Sequence, residues 1–123
     1  MTLTTLYDFV AAPDALKFLC EINSDDALDR RDDNVAFEAC WQQHFDGLKA
    51  YPFTERDMAN INMLREQAFK RAFELTNNDD LAAAVSDDID MIARSLLADR
   101  HDQWPITYLW RSYCNAIFPD RAC

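Results

Sequence analysis

The chain has one glycine, Gly47, in 123 residues. β-Sandwiches and barrels join many short strands through glycine-bearing turns, so this shortage argues against both. It also excludes Gly-rich phosphate loops, because neither a GxGxxG nor a Walker sequence can be written with one glycine. No run of about 18 apolar residues is present to span a bilayer. The cysteines Cys20, Cys40, Cys114 and Cys123 form no CxxC pair, and they lack the close ligand spacing of a zinc site. The opening stretch MTLTTLYDFVAAPDALKF has no basic start, and Asp8 and Pro13 interrupt its apolar residues. That is not the pattern of an export signal. The expectation is a soluble, cytoplasmic protein with reduced thiols. Cys20, Cys40 and Cys114 are expected to be buried, each having apolar or aromatic neighbours at helical spacing, and Cys123 to be exposed.

Positive charge is also scarce. Twelve Lys and Arg stand against 22 Asp and Glu, a formal net charge of -10. Solubility of a small domain asks for a magnitude of only about 2 to 8. Such a surface repels nucleic acid and anionic membranes, and it attracts basic proteins. Aspartate supplies most of the charge. Its short, stiff side chain holds charge near the backbone at fixed positions, although it is a poor helix former. The densest stretch is DDLAAAVSDDID, with Asp79, Asp80, Asp87, Asp88 and Asp90 and no Lys or Arg among them.

Half of the residues are apolar and 12% are aromatic, which excludes a disordered acidic tail. The length suits one domain, residues 1–123. Apolar residues recur at helical spacing and predict an all-α fold. Short helices are expected over Thr4 to Ala12 and from Pro13 through Ile22. The segment NSDDALDRRDDN, residues 23 to 34, reads as a loop with at most one helical turn. A helix from Asn34 to Lys49 follows. Thr54 then caps a helix in which Met58, Ile61, Leu64, Ala68, Ala72 and Leu75 obey the i, i+3, i+4 rule. TNNDD, residues 76 to 80, separates it from a helix over Asp80 to Asp99, and a last helix covers Ile106 to Phe118. The fold class is therefore a single compact bundle of five or six helices around an antiparallel hairpin. On that hairpin Asp87 and Asp90 are expected to lie opposite the apolar stripe, in water.

Chemistry-bearing constellations are sparse. His44, the pair His101-Asp102, and Asp120 occur in the order H, HD, D. That order resembles the metal-dependent HD phosphohydrolases, but Trp104-Pro105 follows the pair where a helix should continue, and the ligand intervals differ. Asp88 and Asp90 point about 200° apart on a helix, and although Asp87 and Asp90 share a face, no partner motif supplies the matching carboxylates that Mg²⁺ enzymes carry on a second helix. Ser86, Ser95 and Ser112 have no glycine elbow. Neither a metal nor another cofactor is expected. Trp110, Tyr113 and Phe118 read as core. Trp104 and Tyr108, at a helix start beside polar residues, read as interface anchors.

The stretch LREQAFKRAFELTNNDDLAAAVSDDIDMIARSL, residues 64 to 97, resembles small helical immunity proteins of type VI and contact-dependent bacterial toxin systems. The shared pattern is a helix ending in the aromatic-acidic pair Phe73-Glu74, an Asp-containing turn, and a helix opening Leu-Ala. Here it lacks a glycine within the first helix. The resemblance implies cytoplasmic residence, no catalysis and direct occlusion of a toxin. The leading expectation is thus a non-enzymatic acidic protein that inhibits a basic partner, either a toxin or a nucleic-acid-binding enzyme. Asp79, Asp80, Asp87, Asp88, Asp90, Trp104 and Tyr108 are the expected partner-binding residues. The alternatives are a DNA-mimicking inhibitor of the anti-restriction or anti-CRISPR type and, less favoured, a metal-dependent phosphohydrolase.

Overall fold

A computed structural model describes residues 1–120. It is all-helical: α1 is Leu3–Ala11, α2 Ser24–Asp33, α3 Val35–Leu48, α4 Glu55–Thr76, α5 Asp79–Leu97 and α6 Ile106–Cys114, with a 3-10 helix at Lys17–Glu21 between α1 and α2. No helix among these residues is long and apolar enough to cross a membrane.

The hairpin of α4 and α5 is the largest helix-helix contact. Local chemistry sets its ends. Thr54 accepts a hydrogen bond from the Asp57 N–H at 3.0 Å, and the Asp57 carboxylate accepts one from the Thr54 N–H at 3.1 Å. This reciprocal cap satisfies two amides that the helix would otherwise leave unpaired. α4 ends at Asn77, which takes the left-handed conformation (φ 52°) and donates to the Phe73 carbonyl at 2.7 Å. Asparagine tolerates that conformation better than most residues. Asn78 then caps α5 by accepting from the Leu81 N–H at 2.9 Å. Two consecutive asparagines thus stop one helix and start the next. The chain reverses, and Ile61, Leu64 and Ala68 of α4 are fully buried with Val85, Ile89 and Ile92 of α5.

α5 is the central helix, touching α1, α2, α3, α4 and α6. It buries Leu81, Ala82, Val85, Ile89, Met91, Ile92 and Ala93, and with them Ser86, Asp88, Asp90 and Ser95. The expected solvent face of this helix is corrected here. α2 and α3 pack over Asp88, which is 0% exposed, and Asp90, on the α4 side, is 3% exposed beneath Arg65 and Arg94.

Three further expectations change. Residues 23 to 34 are not a loop but α2, which Asn23 caps by accepting from the Asp26 N–H at 3.0 Å. Asp25 and Asp26 lie in its first turn, Arg30 and Arg31 in its last. These four charges sit where the helix dipole favours them, which offsets poor intrinsic propensity, although Asp32 and Asp33 at the C-terminal end oppose it. The α-helix expected after Pro13 is a turn followed by the 3-10 helix, and buried Leu16 and Leu19 show the three-residue spacing that suits such a helix. Cys20 and Cys114 are exposed and Cys40 is half-buried, so the expectation of buried thiols fails for the first two. Their helices turn other residues inward. Cys123 lies outside the described residues.

α6 stops four residues before Phe118. Ala116 is left-handed (φ 58°), and the Ile117 N–H bonds the Ser112 carbonyl at 2.9 Å. This turn folds Phe118 back into the core, where it is 4% exposed.

Leu64 is 0% exposed at the centre of the hairpin. Leu64→Ala should therefore lower unfolding free energy by about 2 to 5 kcal/mol, measured by urea denaturation. A loss below about 1 kcal/mol would show that α4 and α5 do not depend on this contact.

Candidate functional site

Two charged systems lie on opposite sides of α5. The first centres on Asp88. Arg31 of α2 clamps it bidentately, Nη2 to Oδ1 at 2.6 Å and Nη1 to Oδ2 at 2.7 Å. Trp41 of α3 donates its indole N–H to Oδ1 at 3.0 Å, and Tyr113 of α6 its hydroxyl to Oδ2 at 2.6 Å. The guanidinium lies 4.8 Å from the Phe37 ring centroid and 5.4 Å from that of Phe118. Burial opposes the charge on Arg31, but the adjacent carboxylate outweighs it and holds the guanidinium above its ordinary pKa. Burial, then the Asp88 charge, push the Tyr113 hydroxyl well above its usual value. The pair is thus hydrogen-bonded at both carboxylate oxygens and enclosed by aromatic rings, which is how a buried charge is tolerated.

The second system joins α4 to α5. Arg65 donates to Asp90 at 2.7 Å and to Asp87 at 3.1 Å, and Arg94 donates to the other Asp90 oxygen. The Arg94 guanidinium sits 5.4 Å from the Phe53 ring centroid and 5.9 Å from that of Phe45. Asp90 is therefore spent within the fold, flanked by two cations.

Between α2, α3 and α5 a cleft of about 760 Å³ opens to the surface. Asp25, Asp29 and Asp32 of α2, Glu38 of α3, and Asp80 and Asp87 of α5 line it. Among the described residues its lining has one cation, Arg31, already bound to Asp88. Leu28, Trp41, Ala83 and Ala84 supply apolar surface, and Gln42 completes the wall. Burial, and after it the carboxylates Asp88 and Asp90, raise the pKa of Asp87 in spite of Arg65. The cleft therefore carries negative charge that its own residues do not cancel.

Of the expected partner-binding residues, Asp80 and Asp87 meet in this cleft, and Asp79 is exposed on the first turn of α5. Asp88 and Asp90 are structural instead, for the reasons given above. Trp104 and Tyr108 are half-buried and stack at 6.0 Å, with Tyr108 edge-on to buried Phe37. Trp104 lines a separate small cavity with His44 and Arg100. Asp25, Asp29, Asp32, Glu38 and Trp41 were not expected at a site. The signal for three of them was present: Asp25, Asp29 and Asp32 are spaced i, i+4, i+7, one face of a helix.

The histidines and aspartates in the order H, HD, D do not converge. His44 hydrogen-bonds Ser95 at 2.9 Å, Asp120 accepts from Arg30 at 2.8 Å, and His101 Nδ1 lies 3.9 Å from Asp99. Among the described residues no three His, Cys, Asp or Glu side chains group as metal ligands.

Removing one member of the buried pair should be far more damaging than removing the half-buried neighbour Asp87. Asp88→Asn leaves Arg31 buried without its counter-charge and should destabilise by about 3 to 5 kcal/mol. Asp87→Asn should change stability by less than about 0.5 kcal/mol in the same urea melts. Equal effects would refute the assigned roles. His44 offers a pH test. Burial, then the Arg100 charge, lower its pKa below the usual 6.5. The unfolded chain thus binds this proton first, so stability should fall as pH drops below about 6.5 and level off once the folded pKa is passed. His44→Gln should flatten that slope, read as melting midpoint between about pH 5 and 7.5. An unchanged slope would remove His44 as its source.

Residues 5–120 match the family model described as Immunity protein PIM1. No curated protein matches the chain. The family match extends the likeness seen over residues 64 to 97 across α1 to α6, and with nearly the whole chain covered, this protein belongs to the PIM1 immunity protein family.

Proposed function

We propose that the chain protects its host cell by binding a cognate toxin directly, without catalysis, and that the toxin presents a basic surface. The carrying observation is the excess negative charge of the α2–α3–α5 cleft, where Arg65 offsets Asp87 alone, within a chain of net charge -10. A folded protein gains little stability from six carboxylates sharing one concavity, since like charges repel. A positively charged partner turns that repulsion into attraction and accelerates encounter. Toxins that grip nucleic acid carry such a surface, because phosphate binding selects lysine and arginine. Asp79, Asp80 and Asp87 are the encounter residues of this reading, with Asp88 and Asp90 holding the helices that present them. Trp104 and Tyr108 supply a neighbouring aromatic patch. The cytoplasm is the compartment in which a toxin delivered into the cell would be met.

Co-expression with the product of the adjacent open reading frame should restore growth wherever that product alone abolishes it. Replacing Asp79, Asp80 and Asp87 together by Asn should slow association about tenfold at low salt and flatten its salt dependence, with a smaller effect on dissociation. Stopped-flow mixing at several ionic strengths measures both. An unchanged rate and salt slope would disprove electrostatic encounter through these residues.

A further inference from the structure

We propose that the cleft between α2, α3 and α5 seats a helix of the toxin, amphipathic and cationic, which lies along it with its apolar face inward. This rests on the immunity reading above and specifies how the partner is held. Three features of the lining lead to it.

The carboxylates form two rows rather than a patch. Asp25, Asp29 and Asp32 follow one face of α2, and Asp80 and Asp87 follow α5, with Glu38 of α3 also in the lining. Each row extends over seven residues, about 10 Å at the α-helical rise. Cations one and two turns apart on a partner helix have the same repeat.

Apolar side chains make a floor among the carboxylates. Ala83 and Ala84 fall between Asp80 and Asp87 on α5, Leu28 falls between Asp25 and Asp32 on α2, and Trp41 of α3 adds its ring. A simple polycation would leave that floor wet, whereas an amphipathic helix covers it with its own apolar stripe. Ala83 and Ala84 end at Cβ, so a partner backbone can approach α5 closely.

Trp41 is held in place before any partner arrives. Its N–H is bound to Asp88, and its ring stacks on Phe45 with centroids 5.4 Å apart and planes at 15°. A fixed aromatic side chain loses little conformational freedom on binding, and tryptophan is enriched in interface hot spots. The buried Arg31–Asp88 pair thus has a second consequence. It takes Arg31, the only cation among the described residues of the lining, out of play and fixes the aromatic floor.

Titration calorimetry of the purified chain against a toxin whose growth inhibition it relieves on co-expression tests the inference. Asp29→Lys with Asp32→Lys reverses charge on the exposed rim, and Ala83→Arg places a cation and bulk on the exposed floor of α5. Glu66→Lys with Glu74→Lys makes the same charge change as the rim pair on the outer face of α4, away from the cleft. The rim pair should weaken binding about a hundredfold and Ala83→Arg about tenfold, with the α4 pair within about threefold of wild type. Thermal melts of every variant establish folding, and Ala83→Arg keeps the test decisive if the rim pair unfolds. Wild-type-like binding by a folded Ala83→Arg and the rim pair would overturn the inference while leaving the immunity reading intact. Equal losses from the rim and α4 pairs would overturn it in favour of general charge attraction. Spermidine binding alone, with the same dependence on the rim, would reassign the cleft to a small polycation. Absence of wild-type binding to the toxin would instead refute the immunity reading, and the seated helix with it.

Discussion

One carboxylate organises the half of the molecule that faces away from the hairpin. Asp88 accepts from Arg31, Trp41 and Tyr113, which come from α2, α3 and α6, while sitting itself on α5. An isolated carboxylate at 0% exposure would be strongly unfavourable, and so would an isolated guanidinium at 7%. Each is acceptable only when the other is in place and the remaining hydrogen-bond positions are filled. That mutual requirement fixes where four helices meet more narrowly than apolar packing does, because hydrogen bonds are directional and hydrophobic contact is not.

The hairpin is governed by a different balance. α4 and α5 meet through aliphatic side chains that are wholly buried, and their register is set by the two-asparagine turn. The Arg65–Asp90–Arg94 group then covers one edge of this contact. Arg65 is 41% exposed at its side chain, so water screens much of its attraction, and its role is mainly to neutralise Asp90. Apolar burial supplies the stability here, and charge pairing keeps a buried polar edge from undoing it.

These two arrangements separate the acidic residues into classes with different work. Asp88 and Asp90 are consumed by the fold. Asp25, Asp29, Asp32, Glu38, Asp80 and Asp87 surround a cleft in which Arg31, the one cation among the described residues of the lining, is already engaged. The second class forms the proposed binding surface. The same helix, α5, carries members of both classes on neighbouring positions, Asp87 and Asp88, so scaffold and proposed binding surface are joined within one turn.

The helical class, the α4–α5 hairpin and its buried stripe were legible from the residues alone. Each depends on local pattern: one glycine in the chain, apolar side chains at three- and four-residue intervals, Thr54 before Glu55 and Asp57, and Asn77-Asn78 at the reversal. The overall negative charge was legible for the same reason, being a sum over the chain. α2 was missed because its apolar residues are too few to show a period, and its dipole-matched charges were read as loop polarity. The fates of Asp87, Asp88 and Asp90 could not be separated by sequence, because adjacent positions on a helix differ only in direction, and what lies in each direction is decided by helices from elsewhere in the chain. Arg31 is 57 residues from Asp88, and Asp25 is 55 from Asp80. Local spacing therefore determined which segments are helical and that the surface is acidic. Only tertiary packing decided which aspartates became structure and which were left facing a cleft, because burial and counter-charge come from residues distant in sequence.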